Sequence, residues 1–555
     1  MGKPKGILRF AIMVNGPFLT KWQYNSIKLL EESGIAKVVL LVNNASVGKT
    51  DNSLKQKLAN YLNKNLLYKL SSRFIYKVPE LGIAGIESMF QNIPVLNCHT
   101  LKKGKFSEFF SEGDISEINK YKLDFIIRYG FGIIKGEILN TAKYGVWSYH
   151  HGDENVFRGG PAGFWEIYKN SNLNGVVLQK LNNLIDAGVI INRRSYLTVK
   201  HSYSENLNKL LANNSDMPLQ VCRQILNGDL SLFQKAHSKT KAPINRLPNN
   251  WQMVWFYVLL LRNRIIFHLT RLFKQEDWNL GIIHQKEQKP GIPELKDVIW
   301  LTVRKKPKYA ADGFCFNSQN TNYIVFEDYD FRVRKGKISM LKLDKQGDIE
   351  EQSTVLSKPF HLAYPFLLKY NNAIYMIPET AENNTVELYK WDAQNEAFEF
   401  ERVLLNIGGV DSSLVNYQSR WWLFCGIKGD LPNEKLHIFY SDNMGGPYTP
   451  HLLNPVKVDP RGSRPAGQFI VEKEELFRPA QCSQKWYGEK INWFRIKNLT
   501  PVLFEEELVG EMTALPEWEY NKGVHTFSQT SSLMLIDAKK RKSGWHAFVA
   551  ALKNS

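Results

Sequence analysis

Along residues 1–201 short apolar runs alternate with helical stretches. The apolar runs predict strands at 8–14, 37–42, 94–97, 124–129 and 145–149, with helices at 22–32, 54–70 and 115–120 between them. Strands that are apolar at consecutive positions are buried on both faces, and with helices between them they predict a parallel, doubly wound sheet. Ligands of such sheets sit beyond the carboxyl ends of the strands, and His150 lies just past one of those ends. No GxGxxG follows the first strand, which argues against a dinucleotide.

The pattern changes at 202–299, which reads as a helical, basic linker. Residues 251–273 are its most apolar part, with an uninterrupted run at 254–261 followed by Arg262 and Arg264. No apolar run in the chain reaches the ~18–20 residues of a membrane span. Two readings stand for 251–273: a helix packed between domains, which is preferred, and a basic, aromatic helix lying in a membrane interface.

From residue 300 the chain turns to short strands and turns, and it repeats. First strands are expected at Ala311-Asp312-Gly313-Phe314, Ala363-Tyr364-Pro365-Phe366, Val410-Asp411-Ser412-Ser413, Ser463-Arg464-Pro465-Ala466 and Val524-His525-Thr526-Phe527. A second strand follows each. A period of roughly 50 residues with several short strands per unit predicts propeller blades. The expected fold is therefore multidomain, α/β plus all-β: a doubly wound domain at 1–201, a helical linker at 202–299 and a five-bladed β-propeller at 300–555. First strands line a propeller's channel, so Asp312, Glu327, Glu379, Asp411, Arg464, Arg478 and His525 are expected to converge on one funnel.

Composition narrows the class. The chain has 555 residues, too many for one ordinary core, and its 43% hydrophobic and 23% charged content is that of a globular protein. The net charge of +18 suits an anionic surface or phosphorylated substrates. No specific nucleic acid is expected. Cys98, Cys222, Cys315, Cys425 and Cys482 show no CxxC spacing, so neither zinc nor a disulfide framework is signalled, and a reducing cytoplasm is expected. The N-terminus has no signal-peptide pattern.

Residues 124–190 read Gly130-Phe131-Gly132, His150-His151-Gly152, Phe157-Arg158-Gly159-Gly160-Pro161 and Asp186-Ala187-Gly188 in order. The stretch resembles folate-dependent formyltransferases that act on methionyl-tRNA, glycinamide ribonucleotide and amino sugars. The resemblance implies 10-formyltetrahydrofolate as donor. Carried over by position, Ser148 stands where the family has Asn, His150 polarises the formyl oxygen or relays a proton, and Asp186 orients His150. Arg158-Gly159 matches the family's Arg-Gly turn. The family's Leu-Pro after the histidine is replaced by Asp153-Glu154-Asn155-Val156.

Ile374-Tyr375-Met376-Ile377-Pro378-Glu379, Ser463-Arg464-Pro465-Ala466-Gly467 and Arg478-Pro479-Ala480-Gln481 carry a second resemblance. They are similar to the N-terminal domain of plant glucosamine inositolphosphorylceramide transferases, itself similar to five-bladed glycosidase-type propellers. Carboxylates on neighbouring inner strands suit either the acid/base pair of glycoside hydrolysis or the binding of sugar hydroxyls. Trp421, Trp422, Tyr440 and Trp493 read as core rather than sugar platforms. The main expectation is N-formylation of a nucleotide- or lipid-linked amino sugar in surface-glycan assembly. The alternatives are glycosyl transfer or hydrolysis through the propeller, with the first domain degenerate, and a glycan-binding scaffold.

Overall fold

The computed structural model describes residues 6–46, 64–85, 90–103, 107–184, 188–238, 240–284, 291–303, 308–344 and 346–543. The chain divides between His268 and Leu269 into two units. Among the described residues, no helix is long and apolar enough to cross a membrane.

The first unit is built on a seven-stranded sheet. Its strands are β1 (Leu8–Val14), β2 (Ala36–Asn44), β3 (Val95–Cys98), β4 (Phe125–Arg128), β5 (Val146–His150), β6 (Leu173–Lys180) and β7 (Val189–Leu197). They lie in the order β7-β6-β5-β4-β1-β2-β3. β1 to β5 pair in parallel, while β6 and β7 run antiparallel at one edge. Alternation along the central strands sends side chains to two buried faces. Ala11 and Met13 join a core with Val42 and Ile126. Phe10 stacks on Phe125, and Phe125 on Trp147, at 4.9 and 4.1 Å.

Helices α1 (Lys21–Glu32), α2 (Leu66–Phe74), α3 (Glu112–Asn119), α4 (Phe164–Tyr168), α5 (Tyr203–Ala212), α6 (Met217–Leu226) and α7 (Asn250–Phe273) complete this part of the chain. The Thr20 N–H donates to Gln23 Oε1 at the start of α1, and Ser202 Oγ accepts the Glu205 N–H at the start of α5, so side chains satisfy orphan donors. The stretch 202–299, expected as a linker, is shared between the units. α5 and α6 fold into the first, and the strand at 274–284 belongs to a sheet of the second. Met253 and Phe256 are buried, but Trp251, Trp255 and Leu261 are 83%, 53% and 62% exposed.

In the second unit the described residues form five antiparallel sheets. β8 (Lys274–His284) and β9 (Ile299–Trp300) share a sheet with β26 (Val524–Gln529) and β27 (Leu533–Ser543), in the order β9-β8-β27-β26. The next sheet holds β10 (Lys308–Ser318), β11 (Thr321–Asp330), β12 (Lys335–Leu343) and β13 (Ile349–Leu356). It is followed by β14 (Ala363–Tyr370), β15 (Ala373–Thr380), β16 (Thr385–Asp392) and β17 (Ala397–Leu405). β18 (Gly409–Tyr417), β19 (Arg420–Ile427), β20 (Lys435–Ser441) and β21 (Thr449–Pro450) follow, then β22 (Ile470–Glu472), β23 (Glu475–Cys482), β24 (Lys490–Leu499) and β25 (Phe504–Met512).

Each sheet shares a core with the next. Phe314, Phe366 and Leu414 lie in one cluster, Phe424 and Leu476 in another, Trp493 and Ile536 in a third, and Leu535 and Ile324 in a fourth. The packing therefore returns from the last sheet to the first. Pairing of the chain's late strand β27 with the early strand β8 closes one sheet from two distant segments. Trp421, Trp422 and Trp493 are buried in these cores, as their sequence context implied.

Candidate functional site

Four of the five repeated quartets fold into repeated bulges; the fifth, Ser463-Arg464-Pro465-Ala466, expected as a first strand, lies in a loop with only an isolated bridge from Pro465 to Ala480, because the first strand of its sheet starts later, at Ile470. Asp312-Gly313 stand opposite the single residue Phe326, and the register shifts there. Tyr364-Pro365 oppose Pro378, Asp411-Ser412 oppose Cys425, and His525-Thr526 oppose Asp537 in the same way. Asp312, Tyr364 and Asp411 take positive φ, at 52°, 41° and 50°. Aspartate tolerates this left-handed region better than most residues, whereas a tyrosine there is strained. A bulge breaks the alternation of side chains and re-aims them.

A bulge also leaves backbone N–H groups without ladder partners, and buried ones must be satisfied. Side chains do this within and across sheets. Asp537 Oδ1 accepts the N–H groups of His525 and Thr526 at 3.2 and 2.8 Å, and its Oδ2 accepts that of Asp312 at 2.8 Å. Glu379 Oε2 accepts the Asp411 N–H at 3.2 Å. Tyr364 OH accepts the Gly467 N–H at 2.5 Å. A Cβ on Gly467 would stand 1.9 Å from the Phe527 carbonyl oxygen, so only glycine fits there.

The cluster has two charged halves. In one, Arg464 donates through Nε to Asp411 Oδ2 at 2.5 Å and through Nη2 to Oδ1 at 3.1 Å. Gln481 Nε2 adds a third bond to Oδ2 at 2.8 Å, and Arg464 Nη1 reaches Asn433 Oδ1 at 2.9 Å. In the other, His525 stacks on Trp278 at 3.8 Å, with Nδ1 2.7 Å from Asp537 Oδ2 and Nε2 3.5 Å from Asp312 Oδ1. Thr526 Oγ1 donates to the same Asp312 oxygen at 2.8 Å. Tyr487 joins the halves: the Arg464 guanidinium lies 5.0 Å from its ring centre, and the His525 ring 5.4 Å.

Burial and crowding of negative charge set the proton affinities. Burial raises the Glu379 carboxyl to about 8, with Asp411 adding to the rise and Arg464 opposing it. Burial raises Asp312 to about 6 against the pull of His525. Glu327 is pushed well above the usual carboxylate range by burial and then by Asp312 and Glu379, although Tyr309 donates to it at 3.4 Å. His361 Nε2 lies 3.7 Å from the same carboxyl. Burial works against charge on His525, but Asp537 and Asp312 outweigh it and raise its affinity for a proton.

Six of the seven expected funnel residues are thus brought together: Asp312, Glu327, Glu379, Asp411, Arg464 and His525 feel one another's charges. Arg478 is the exception. It is buried elsewhere, donating from Nε to Glu506 Oε2 at 2.9 Å and from Nη2 to the Gly462 carbonyl at 2.6 Å. Gln481, three residues on, joins the cluster instead through Asp411. Gln481, Asp537 and Tyr487 were not expected there. Gln481 sits in a quoted motif, but Asp537 has no equivalent at the matching Phe326, Pro378 or Cys425. Asp312, His525 and Asp537 bring three donor atoms within 4.8 Å of one another, a set that suits a cation by type. Asp537 is already occupied by three backbone donors and His525, so the set reads as a hydrogen-bonded cluster.

The first unit's expected site has a different character. Ser148, at 1% exposure on β5, accepts bonds from Arg128 Nε and Nη2 at 3.2 and 2.9 Å, and its own proton points to the Tyr149 carbonyl at 3.4 Å. Its hydroxyl is spent within the fold and is not free to stabilise an oxyanion. His150 Nε2 faces the Phe157 carbonyl at 3.2 Å, while burial lowers the neighbouring His151 to about 4. Arg158-Gly159 form a short strand with Ile244-Asn245, and a Cβ on Gly159 would stand 2.1 Å from the Asn245 carbonyl. Asp186 lies outside the described residues. Ser148 therefore does not supply the free oxyanion donor that the family resemblance implied.

Residues 301–550 match the family described as glucosamine inositolphosphorylceramide transferase 1, N-terminal. A rice relative (Oryza sativa subsp. japonica), glucosamine inositolphosphorylceramide transferase 1, is 32% identical over 204 residues, covering 36% of this chain and 27% of its own length. The chain thus spans about a quarter of the curated relatives it matches. Among solved structures, a family 117 glycoside hydrolase of Zobellia galactanivorans covers 51% of this chain and 98% of its own at 12% identity and a TM-score of 0.32. A sugar N-formyltransferase of Shewanella sp. covers 43% and 76% at 13% identity and a TM-score of 0.26. N-formylation of an amino sugar, the main expectation from the sequence, is overturned by the curated relatives, which are transferases named for glucosamine inositolphosphorylceramide.

Proposed function

We propose that the second unit is a five-bladed propeller that carries out glycosyl chemistry in its funnel, and that the first unit keeps a formyltransferase-like fold without that reaction. The observation that carries this reading is the convergence of Asp312, Glu327, Glu379 and Asp411 from three sheets, with burial raising the proton affinities of Asp312, Glu327 and Glu379 to different degrees. Two carboxyls with separated affinities are what acid/base chemistry at a glycosidic bond needs. The five sheets, each sharing a core with the next, support the propeller. The relatives' names support a sugar on a phosphorylated lipid as the substrate class.

In this reading Glu379, protonated below about 8, gives its proton to the departing glycosidic oxygen. Asp312, ionised above about 6, serves the incoming group as base or meets the anomeric carbon directly. Asp411 touches neither; pinned by Arg464 and Gln481, it holds a negative charge beside Glu379 and so keeps the Glu379 proton on. Water as acceptor gives hydrolysis, and a hydroxyl gives transfer.

The test is incubation of the full chain with a panel of glycosylated inositol phospholipids and aryl glycosides, with and without an alcohol acceptor, read by mass spectrometry. Glycosidic cleavage or transfer that disappears in Glu379→Gln supports the proposal. Turnover that survives in that variant refutes it.

A further inference from the structure

We propose that α7, together with α2, is a surface that lies on an anionic lipid membrane without crossing it. Trp251, Trp255, Val258, Leu261 and Ile265 recur at three- and four-residue spacing, which puts them on one side of α7, and all are exposed. The opposite side holds the helix to its unit: Met253 and Phe256 are buried, and the Tyr257 hydroxyl meets Ser71 Oγ of α2. Asn250 Oδ1 accepts the Leu67 N–H at 3.0 Å and ties the start of α7 to the start of α2.

α2 shows the same chemistry. Leu70 and Phe74 are exposed at 43% and 66%. An exposed apolar stripe from Trp251 to Ile265, about 21 Å of helix, is costly in water and marks a binding surface.

Charge identifies the occupant. Residues 250–273, the span of α7, contain Arg262, Arg264 and Arg271 and neither Asp nor Glu. Residues 64–78, which span α2, contain Lys64, Lys69, Arg73 and Lys77 and again neither acid. A second copy of the chain would set these cations against their own kind, whereas anionic headgroups complement them. Tryptophans beside arginines suit the headgroup boundary, and Arg262, within the apolar side, is long enough to keep its guanidinium among phosphates while its stem lies on acyl chains. No described helix qualifies as a span, so α7 would lie in the plane of the interface.

Flotation of the full chain with phosphatidylcholine vesicles, with and without phosphatidylserine, tests this independently of any catalytic activity. The chain is expected to float with the phosphatidylserine vesicles and to be released by high salt, since exposed charge pairs are screened. Arg262→Gln and Arg264→Gln should each weaken binding roughly fivefold. The pair Trp255→Ser and Leu261→Ser should weaken it at least about tenfold by removing buried apolar area. These side chains are exposed, so unchanged circular dichroism is expected and is to be checked. Failure of the wild type to float, or equal salt-insensitive flotation on neutral vesicles, overturns the proposal. So does light scattering that shows a dimer dissociated by the same serine variants, because the stripe would then be covered by a second copy.

Discussion

Arg464 grips Asp411 through both carboxylate oxygens, Nε at 2.5 Å and Nη2 at 3.1 Å. Asp411 lies on β18 and Arg464 in the loop between β21 and β22, so the pair fastens that loop to a sheet as well as fixing charge in the buried cluster. The Asp411 side chain is 2% exposed and that of Arg464 16%. Burial and Asp411 oppose each other at the guanidinium, and Asp411, with Tyr487 and Glu379, wins and raises its proton affinity. Arg464→Met should therefore strand a buried carboxylate and cost about 3–5 kcal/mol in chemical denaturation. Arg464→Lys should recover only part of that loss, because an ammonium cannot bond both oxygens in the same fork.

Stability should depend on pH through Glu379. Its folded-state affinity lies near 8 against an ordinary value of 4.5. The folded state therefore holds a proton that the unfolded chain releases, so this contribution is fully present below about 4.5 and is lost as pH rises through 8. Glu379→Gln should flatten that fall. Thermal unfolding should show the variant close to wild type at the acid end of this window and more stable than wild type above its upper limit.

Asp537 should prove structural first. Asp537→Ala removes the acceptor of three buried N–H groups and should cost at least about 3 kcal/mol. Asp537→Asn, if folded, should lower the proton affinity of His525, because Asp537 is the first of the groups that raise it. The histidine's ring resonances in an NMR pH titration measure this shift.

In the first unit, Arg128 should matter more for folding than Ser148 does for chemistry. Arg128 Nη1 also donates to the Gly132 carbonyl at 2.5 Å, so one guanidinium holds both a loop and the end of β5. Arg128→Met should destabilise this unit by about 1.5–3 kcal/mol, the usual worth of a hydrogen bond to a charged group, read by denaturation.

The repeat was legible because each bulge follows the same apolar-to-polar step, as in Ala311-Asp312 and Val410-Asp411, and a bulge places the polar residue where a regular strand would not. Asp537 was not legible. Its partners are backbone N–H groups that exist only once the bulges form, and the matching positions in other sheets are Phe326, Pro378 and Cys425. Arg478 was misjudged by three residues along β23, because an arginine in a second strand reads alike whether it faces the funnel or Glu506 across the sheet. The sequence left α7 open between two readings for a simpler reason: apolar residues on both sides of a helix look the same whether one side or both are covered. The alternation of strands and helices in the first unit was legible, but the spending of Ser148 on Arg128 depends on contacts across β4 and β5 that no local motif carries.

The most direct test of the proposed glycosyl chemistry is the pH–rate profile of wild type and Glu379→Gln on whichever glycosylated inositol phospholipid or aryl glycoside the full chain turns over. Wild type should give a bell whose limbs fall near 6, where Asp312 gains its proton, and near 8, where Glu379 loses its own. Glu379→Gln should lose the upper limb and about 10²–10⁴-fold in rate, the usual worth of a general acid. A profile that keeps its upper limb and its rate in Glu379→Gln would contradict this assignment and place the chemistry elsewhere in the chain.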